Sequence, residues 1–153
     1  MIDDLAVSIE GLIVSPLKQI ENPRGYILHA MKIGSEGFLG FGEAYFSSVN
    51  KGEIKGWKKH QEMTLNLIVP MGEIRFVIYD DREHSLTNDQ VFHINLSRDN
   101  YCRLTVPPGL WLGFQGVSED TNLLLNIANI EHNPDESINI PLKEIKFDWG
   151  KSE

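Results

Sequence analysis

The sequence predicts an all-β fold, a sandwich or a closed barrel, on three observations. From residue 65 onward, short runs of Val, Ile, Leu, Phe and Tyr recur at a spacing of roughly ten residues. Between them stand clusters of Gly, Pro, Asn, Asp and Ser, residues whose backbone preferences suit tight turns. No window carries apolar residues at the i, i+3, i+4, i+7 spacing of a helix face.

Taken along the chain, residues 27–33 and 38–46 are candidate strands, with Gly34, Gly37, Gly40 and Gly42 marking turns or bulges. Clearer strands follow at 65–69, 74–79, 91–96, 101–106, 111–114, 123–129 and 145–149. Met71-Gly72, Ser97-Arg98-Asp99-Asn100, Pro107-Pro108-Gly109 and Ser118-Glu119-Asp120 supply the turns. A chain of 153 residues is expected to form one domain, 1–153, whose core needs neither disulfides nor a structural metal.

Composition narrows the function classes. The 41% hydrophobic and 24% charged content is ordinary for a globular chain, without linker, repeat or low-complexity segment. A net charge of −8 disfavours nonspecific contact with nucleic acid or anionic lipid, so neither is an expected partner. Apolar runs such as Leu67-Ile68-Val69 fall far short of the ~20 residues that cross a bilayer, so no membrane span is expected. Asp3 and Asp4 stand where a secretory signal carries basic residues, which points to a cytoplasmic address. The single cysteine, Cys102, reads as buried packing. Cations concentrate at one place, residues 51–60, where four lysines and His60 share ten positions.

Several blocks, in order, resemble the dTDP-4-dehydrorhamnose 3,5-epimerase family and its relatives, the dTDP-sugar 3,4-ketoisomerases. Pro16 followed by Asn22-Pro23-Arg24-Gly25-Tyr26 is similar to the epimerase opening. The stretch from Lys51 to Trp57, KGEIKGW, resembles the family's KGVLRGL, with Lys55 in place of arginine. Residues 56–81 look like the ketoisomerase block in which HxH precedes a strand, a glycine turn and an acidic strand end. Val106-Pro107-Pro108-Gly109-Leu110-Trp111 resembles the VPPG(I/L)W of ketoisomerases and the IPEGFAHGF of epimerases. The stretch from Asn139 to Trp149 is similar to the epimerases' closing segment. The resemblance implies a cupin-type jelly-roll barrel (a double-stranded β-helix), a nucleotide-sugar substrate, no cofactor and a homodimer. It also marks departures. Lys58 stands at the position of the epimerases' catalytic histidine and Leu125 at that of their catalytic tyrosine, whereas His60 matches the second histidine of the ketoisomerases.

Epimerising or isomerising a 4-keto sugar requires a base for a proton beside the carbonyl and a donor or cation for the enolate oxygen. Histidine suits the first task and lysine the second. Alternation in an extended stretch puts Lys58 and His60 on one face and Trp57 and Lys59 on the other. His60 is therefore the candidate base and Lys58 the enolate or phosphate partner. By resemblance Arg24 and Lys55 are cations for the diphosphate, while Tyr26 and Trp111 offer flat stacking surfaces, and Asn66 and Tyr79 are lower-ranked pocket residues. For Trp57 and Trp111 the commoner role is core.

Metal-binding cupins need HxH, a carboxylate and a late histidine. Those positions here read Lys58, His60, Thr64 and Leu112, a set that cannot hold a metal. His29, His84, His93 and His132 have no neighbour at ligand spacing and read as structural or surface residues. Two functions remain open: an isomerase acting by proton abstraction on a dTDP-4-keto-6-deoxyhexose, and a barrel that binds sugar nucleotide without turnover. A purely structural partner domain is the third.

Overall fold

The computed structural model describes residues 9–150. These form β1 (Ile13–Pro16), β2 (Gln19–Ile20), β3 (Ile27–Leu28), β4 (Glu43–Ser48), β5 (Ile54–His60), β6 (Leu65–Met71), β7 (Glu73–Tyr79), β8 (Val91–Ser97), β9 (Cys102–Val106), β10 (Trp111–Gly116), β11 (Leu123–Ala128) and β12 (Ser137–Asn139). Single 3-10 turns lie at Pro134–Glu136 and Leu142–Glu144. Two five-stranded antiparallel sheets, β1-β9-β6-β11-β4 and β12-β5-β10-β7-β8, face each other as a jelly-roll barrel, and β2 and β3 form a separate hairpin. No helix among the described residues is long and apolar enough to cross a membrane.

Alternation decides which side chains enter the barrel. Leu65, Leu67 and Val69 of β6, Ile74, Phe76 and Ile78 of β7, Leu104 of β9, and Leu124 and Ala128 of β11 meet in one buried cluster between the sheets. Each of these strands gives alternate residues to this cluster, while β6 and β9 are buried on their other face as well. Cys102 is buried in the same cluster, and burial pushes its thiol pKa up, as suits a packing residue.

A second apolar layer covers the outer face of the β5-containing sheet. Trp57, Val77, Trp111 and Trp149 are buried together there, with Ile54, Tyr79, Ile140, Leu142, Ile145 and Phe147 packed around them. Trp57 is wholly buried and donates its indole N–H to Leu142 O at 3.0 Å. The strand expected at 145–149 is absent: this segment has no ladder partner, and its alternation of Ile145, Phe147 and Trp149 reflects packing flat on a sheet face.

The two early segments also differ from expectation. Only Ile27–Leu28 of the expected 27–33 strand pairs. The chain beyond is fastened across the outside of the other sheet by buried Arg103, whose guanidinium donates to Ala30 O and Glu36 O at 2.8 and 2.9 Å. The 38–46 strand moves to Glu43–Ser48, because Gly42 runs so close to the Ile130 backbone that any Cβ would collide with it.

Past the end of β7, Asp80 is fully buried and accepts hydrogen bonds from the Arg82 guanidinium and backbone N–H and from the Ser85 and Thr87 hydroxyls. Burial alone would push its carboxyl pKa up, but these donors override that and hold it far below the usual carboxylate range. Asp80→Ala strands those donors and is expected to cost about 3 kcal/mol of stability in urea unfolding. A cost under about 1 kcal/mol would mean that water replaces the carboxylate.

Candidate functional site

The site is built on the pairing of β5 with β10. Lys58 lies opposite Leu112 and Lys55 opposite Phe114, so four residues of β5 span what three of β10 span, and the ladder carries a bulge. Directly paired side chains point the same way. Leu112 and Phe114 pack in the barrel core, so the bulge sets both Lys55 and Lys58 on the inner face, and His60 follows two residues beyond Lys58. Strict alternation from Lys58 would lead to residues 56 and 54, so sequence parity alone misplaces Lys55. Trp57, inside the bulge, is left on the outer face.

His60 is held from both sides of its strand. Its backbone carbonyl accepts from Gly109 N–H at 2.7 Å, which places the Pro107-Pro108-Gly109 turn against the end of β5. Gly109 has φ +93°, a left-handed conformation that explains glycine at this corner. The imidazole Nδ1 lies 2.8 Å from Oε1 of Glu136, on the 3-10 turn leading into β12. The other carboxylate oxygen of Glu136 accepts the backbone N–H groups of Glu62 and Met63, both at 2.8 Å. Burial pushes the Glu136 pKa up, but the bonds from His60 and the two amides outweigh it and leave the carboxyl below the usual range. Since an ionised carboxylate only accepts, Nδ1 of neutral His60 carries the proton and Nε2 keeps its lone pair. Sequence reasoning missed Glu136: it lies 76 residues from His60, and no local pattern relates them.

The facing wall is β4. Its Glu43, Tyr45 and Ser47 pair with Ala128, Asn126 and Leu124 of β11; Ala128 and Leu124 belong to the barrel core, so all three β4 residues share the inward face. Lys55 spans the gap between walls, its Nζ 2.7 Å from Ser48 O and 3.5 Å from Ser47 Oγ. Leu125, which the resemblance set at the family's tyrosine position, lies on the outward side of β11, opposite Ile68 and Phe46. The inward residue beside it is buried Asn126.

Other expected site residues lie elsewhere. Asn66 is corrected from pocket residue to outer-face residue: it shares a face with Thr105, whose hydroxyl donates to it at 2.6 Å, and its amide donates to Gly37 O at 3.1 Å. Tyr79 also belongs to the outside, because odd-numbered positions of β7 face away from the core. Its hydroxyl donates to Asp89 at 2.7 Å, and that bond first, with burial second, pushes its pKa up to about 12. Trp111 lies in the same outer-layer cluster as Trp57 and donates its indole N–H to Asp81, which also binds Lys59 at 2.6 Å. Arg24 and Tyr26 flank the β2–β3 turn. Tyr26 lies under the Arg98 guanidinium, 3.9 Å from its ring centre, and lines a concavity with Met71 and Gly72 at the far end of β6. A seven-residue strand, about 20 Å at 3.3 Å per residue, separates that end from the His60 end.

A double-sheet barrel with a carboxylate-held imidazole and two lysines on one inner wall is equipped for proton transfer beside an anionic group. Fold and site together belong to the cupin-type isomerases. A family model described as dTDP-4-dehydrorhamnose 3,5-epimerase matches residues 6–153, and the chain belongs to that family of enzymes. It is 37% identical to a dTDP sugar isomerase from Desulfovibrio desulfuricans G20, whose crystal structure superposes with a TM-score of 0.91 over 97% of each chain. It is 26% identical over 146 residues to the Bacillus subtilis spore coat polysaccharide biosynthesis protein SpsL, covering 93% of this chain and 97% of that one. The Legionella pneumophila epimerase, solved in complex with dTDP-4-keto-L-rhamnose, shares the fold at 22% identity, with a TM-score of 0.84 over 97% of this chain and 84% of that one.

Because the Glu136 pKa is lowered, its contribution to stability is complete above the ordinary carboxylate range and is lost as pH falls through the folded-state value. Glu136→Gln is expected to cost about 1–3 kcal/mol at pH 7, with the difference from wild type shrinking toward pH 3. Urea unfolding at several pH values checks this, and a pH-independent difference would contradict it.

Proposed function

We propose that the protein epimerises or isomerises a dTDP-4-keto-6-deoxyhexose by removing a proton beside the ketone, in deoxysugar or surface-polysaccharide biosynthesis. The observation that carries this reading is the His60–Glu136 pair on the inner wall beside Lys58 and Lys55. Glu136 fixes the ring so that Nε2 is the basic nitrogen and stabilises the imidazolium formed when it takes the proton. Lys58, exposed and on the same face, neutralises the developing enolate oxygen. Lys55 supplies a point charge to the diphosphate. Family membership supports the chemistry, and the relatives support the setting. SpsL is described as a spore coat polysaccharide biosynthesis protein, and a Haloferax volcanii relative, 28% identical over 112 residues, as a probable low-salt glycan biosynthesis epimerase.

Arg24 and Tyr26 remain candidates for gripping the nucleotide, but from a second copy of the chain, because their own hairpin lies a strand length from His60. Exposed Ile33, Leu39, Phe41 and Phe46, on or beside the edge of the β4-containing sheet, are apolar surface suited to a homodimer. The protein is proposed to act in the cytoplasm as a single-domain enzyme. A second reading, binding of a sugar nucleotide or carbohydrate without turnover, is favoured by Lys58 and Leu125 at the family's histidine and tyrosine positions.

Proton NMR of dTDP-4-keto-6-deoxyglucose with the protein in heavy water separates the two. Loss of the signals at carbon 3, carbon 5 or both is expected, slowed about 10²- to 10⁴-fold in His60→Ala with the fold intact. Washout that persists in His60→Ala would remove His60 as the base, and binding without washout would select the second reading. Sedimentation equilibrium is expected to return twice the 17.4 kDa chain mass; a monomer would remove Arg24 and Tyr26 from the site.

A further inference from the structure

Inverting a carbon beside a ketone takes more than a base. The enolate must be reprotonated from the face opposite the one that lost its proton, so a donor has to stand across the sugar from His60. Of the inner-wall residues on β4, only Tyr45 combines a proton to give with a body large enough to approach a sugar ring. It is aromatic yet 47% exposed, although its strand parity turns it inward, as expected of a side chain that lines a mouth rather than fills a core.

The hydrogen bonding around it has a definite direction. Asn126 is buried on β11 directly opposite Tyr45. Its Oδ1 accepts from the Asn66 backbone N–H at 3.3 Å, a group that can only donate, and this fixes the amide orientation. Nδ2 therefore points to Tyr45 and donates to its hydroxyl oxygen at 3.2 Å. The phenol acts as acceptor in that contact, and its own proton has no acceptor among the described residues. The strand that resembles the family's tyrosine-bearing strand thus holds Asn126 at its inward position and presents a phenol from the neighbouring strand.

We propose that Tyr45 is the catalytic acid of this site, acting from the β4 wall while His60 acts from the β5 wall. This rests on the reading of the protein as a keto-sugar epimerase. His60 Nε2 takes the proton from the carbon next to the ketone, and the C–H electron pair moves into an enolate whose oxygen faces Lys58. The same carbon then takes the hydroxyl proton of Tyr45 from the opposite face as the enolate reverts to the ketone. The phenolate regains a proton from solvent at the mouth, His60 releases its proton to solvent, and no oxidant or reductant takes part. Asn126, through its amide, is a positioning residue for the phenol.

The test is Tyr45→Phe, which removes only the hydroxyl from a half-exposed ring, assayed in heavy water beside wild type and His60→Ala. Washout and inversion are followed together, inversion through the ring-proton coupling constants of the product. Wild type is expected to exchange and invert. Tyr45→Phe is expected to go on exchanging with retention, because His60 can return a solvent deuteron to the face it deprotonated, while inversion falls about 10²- to 10⁴-fold. Inversion at the wild-type rate in Tyr45→Phe overturns this assignment alone, as does parallel loss of exchange and inversion with dTDP binding retained. A wild-type protein that binds the sugar nucleotide but exchanges neither proton overturns the epimerase reading and this assignment with it.

Discussion

The bulged pairing of β5 with β10 is the constraint on which the site depends. Without the extra residue, Lys55 and Lys58 would fall on opposite faces of the sheet, and the inner wall would lose one of its two cations. With it, Lys55, Lys58 and His60 form one inward row while Trp57 goes out to anchor the second apolar layer. One local irregularity thus sets the packing on one side and the row of two lysines and a histidine on the other. The glycine at position 56 fits this arrangement, because a Cβ there would sit 3.2 Å from the Gly113 backbone of the neighbouring strand.

Around that pairing, polar groups are placed so that the buried carboxylates Asp80 and Glu136 are each satisfied by short-range donors. Asp80 gathers a guanidinium, two hydroxyls and an amide. Glu136 gathers an imidazole and two amides, and by doing so ties the loop from β5 to β6 to the turn before β12. The orientation of His60 is in this way part of the fold, since the same carboxylate closes a loop and sets a ring. Burying such a carboxylate is costly unless every oxygen is occupied, and here both are.

Much of the architecture was legible because β6 to β11 are short runs rich in branched and aromatic residues set between turn clusters, and β8 and β11 also alternate buried with less buried positions. The failures share a cause. The 145–149 segment alternates as a strand does because it also has one buried side, yet that side meets the face of a sheet rather than an edge, so it has no ladder partner. Asn66 and Tyr79 are on strands that border the pocket, but one step of parity puts each on the outside, where other chain segments supply their polar partners. Lys58 and His60 were placed together correctly because they lie two apart in one strand, with no irregularity between them.

By itself the sequence determined the all-β class, the strands and turns from β6 to β11, the lack of the metal-binding cupin ligand pattern and, for an extended chain, the shared face of Lys58 and His60. Each of these depends on residues within a few positions of one another, where backbone preference and alternation act. Only the tertiary structure decided that Glu136 holds His60, that Asn126 donates to the Tyr45 hydroxyl, and that Arg24 and Tyr26 lie a strand length away. Those contacts join residues that are remote along the chain, and the register that brings them together is set by the whole hydrophobic core rather than by any local pattern.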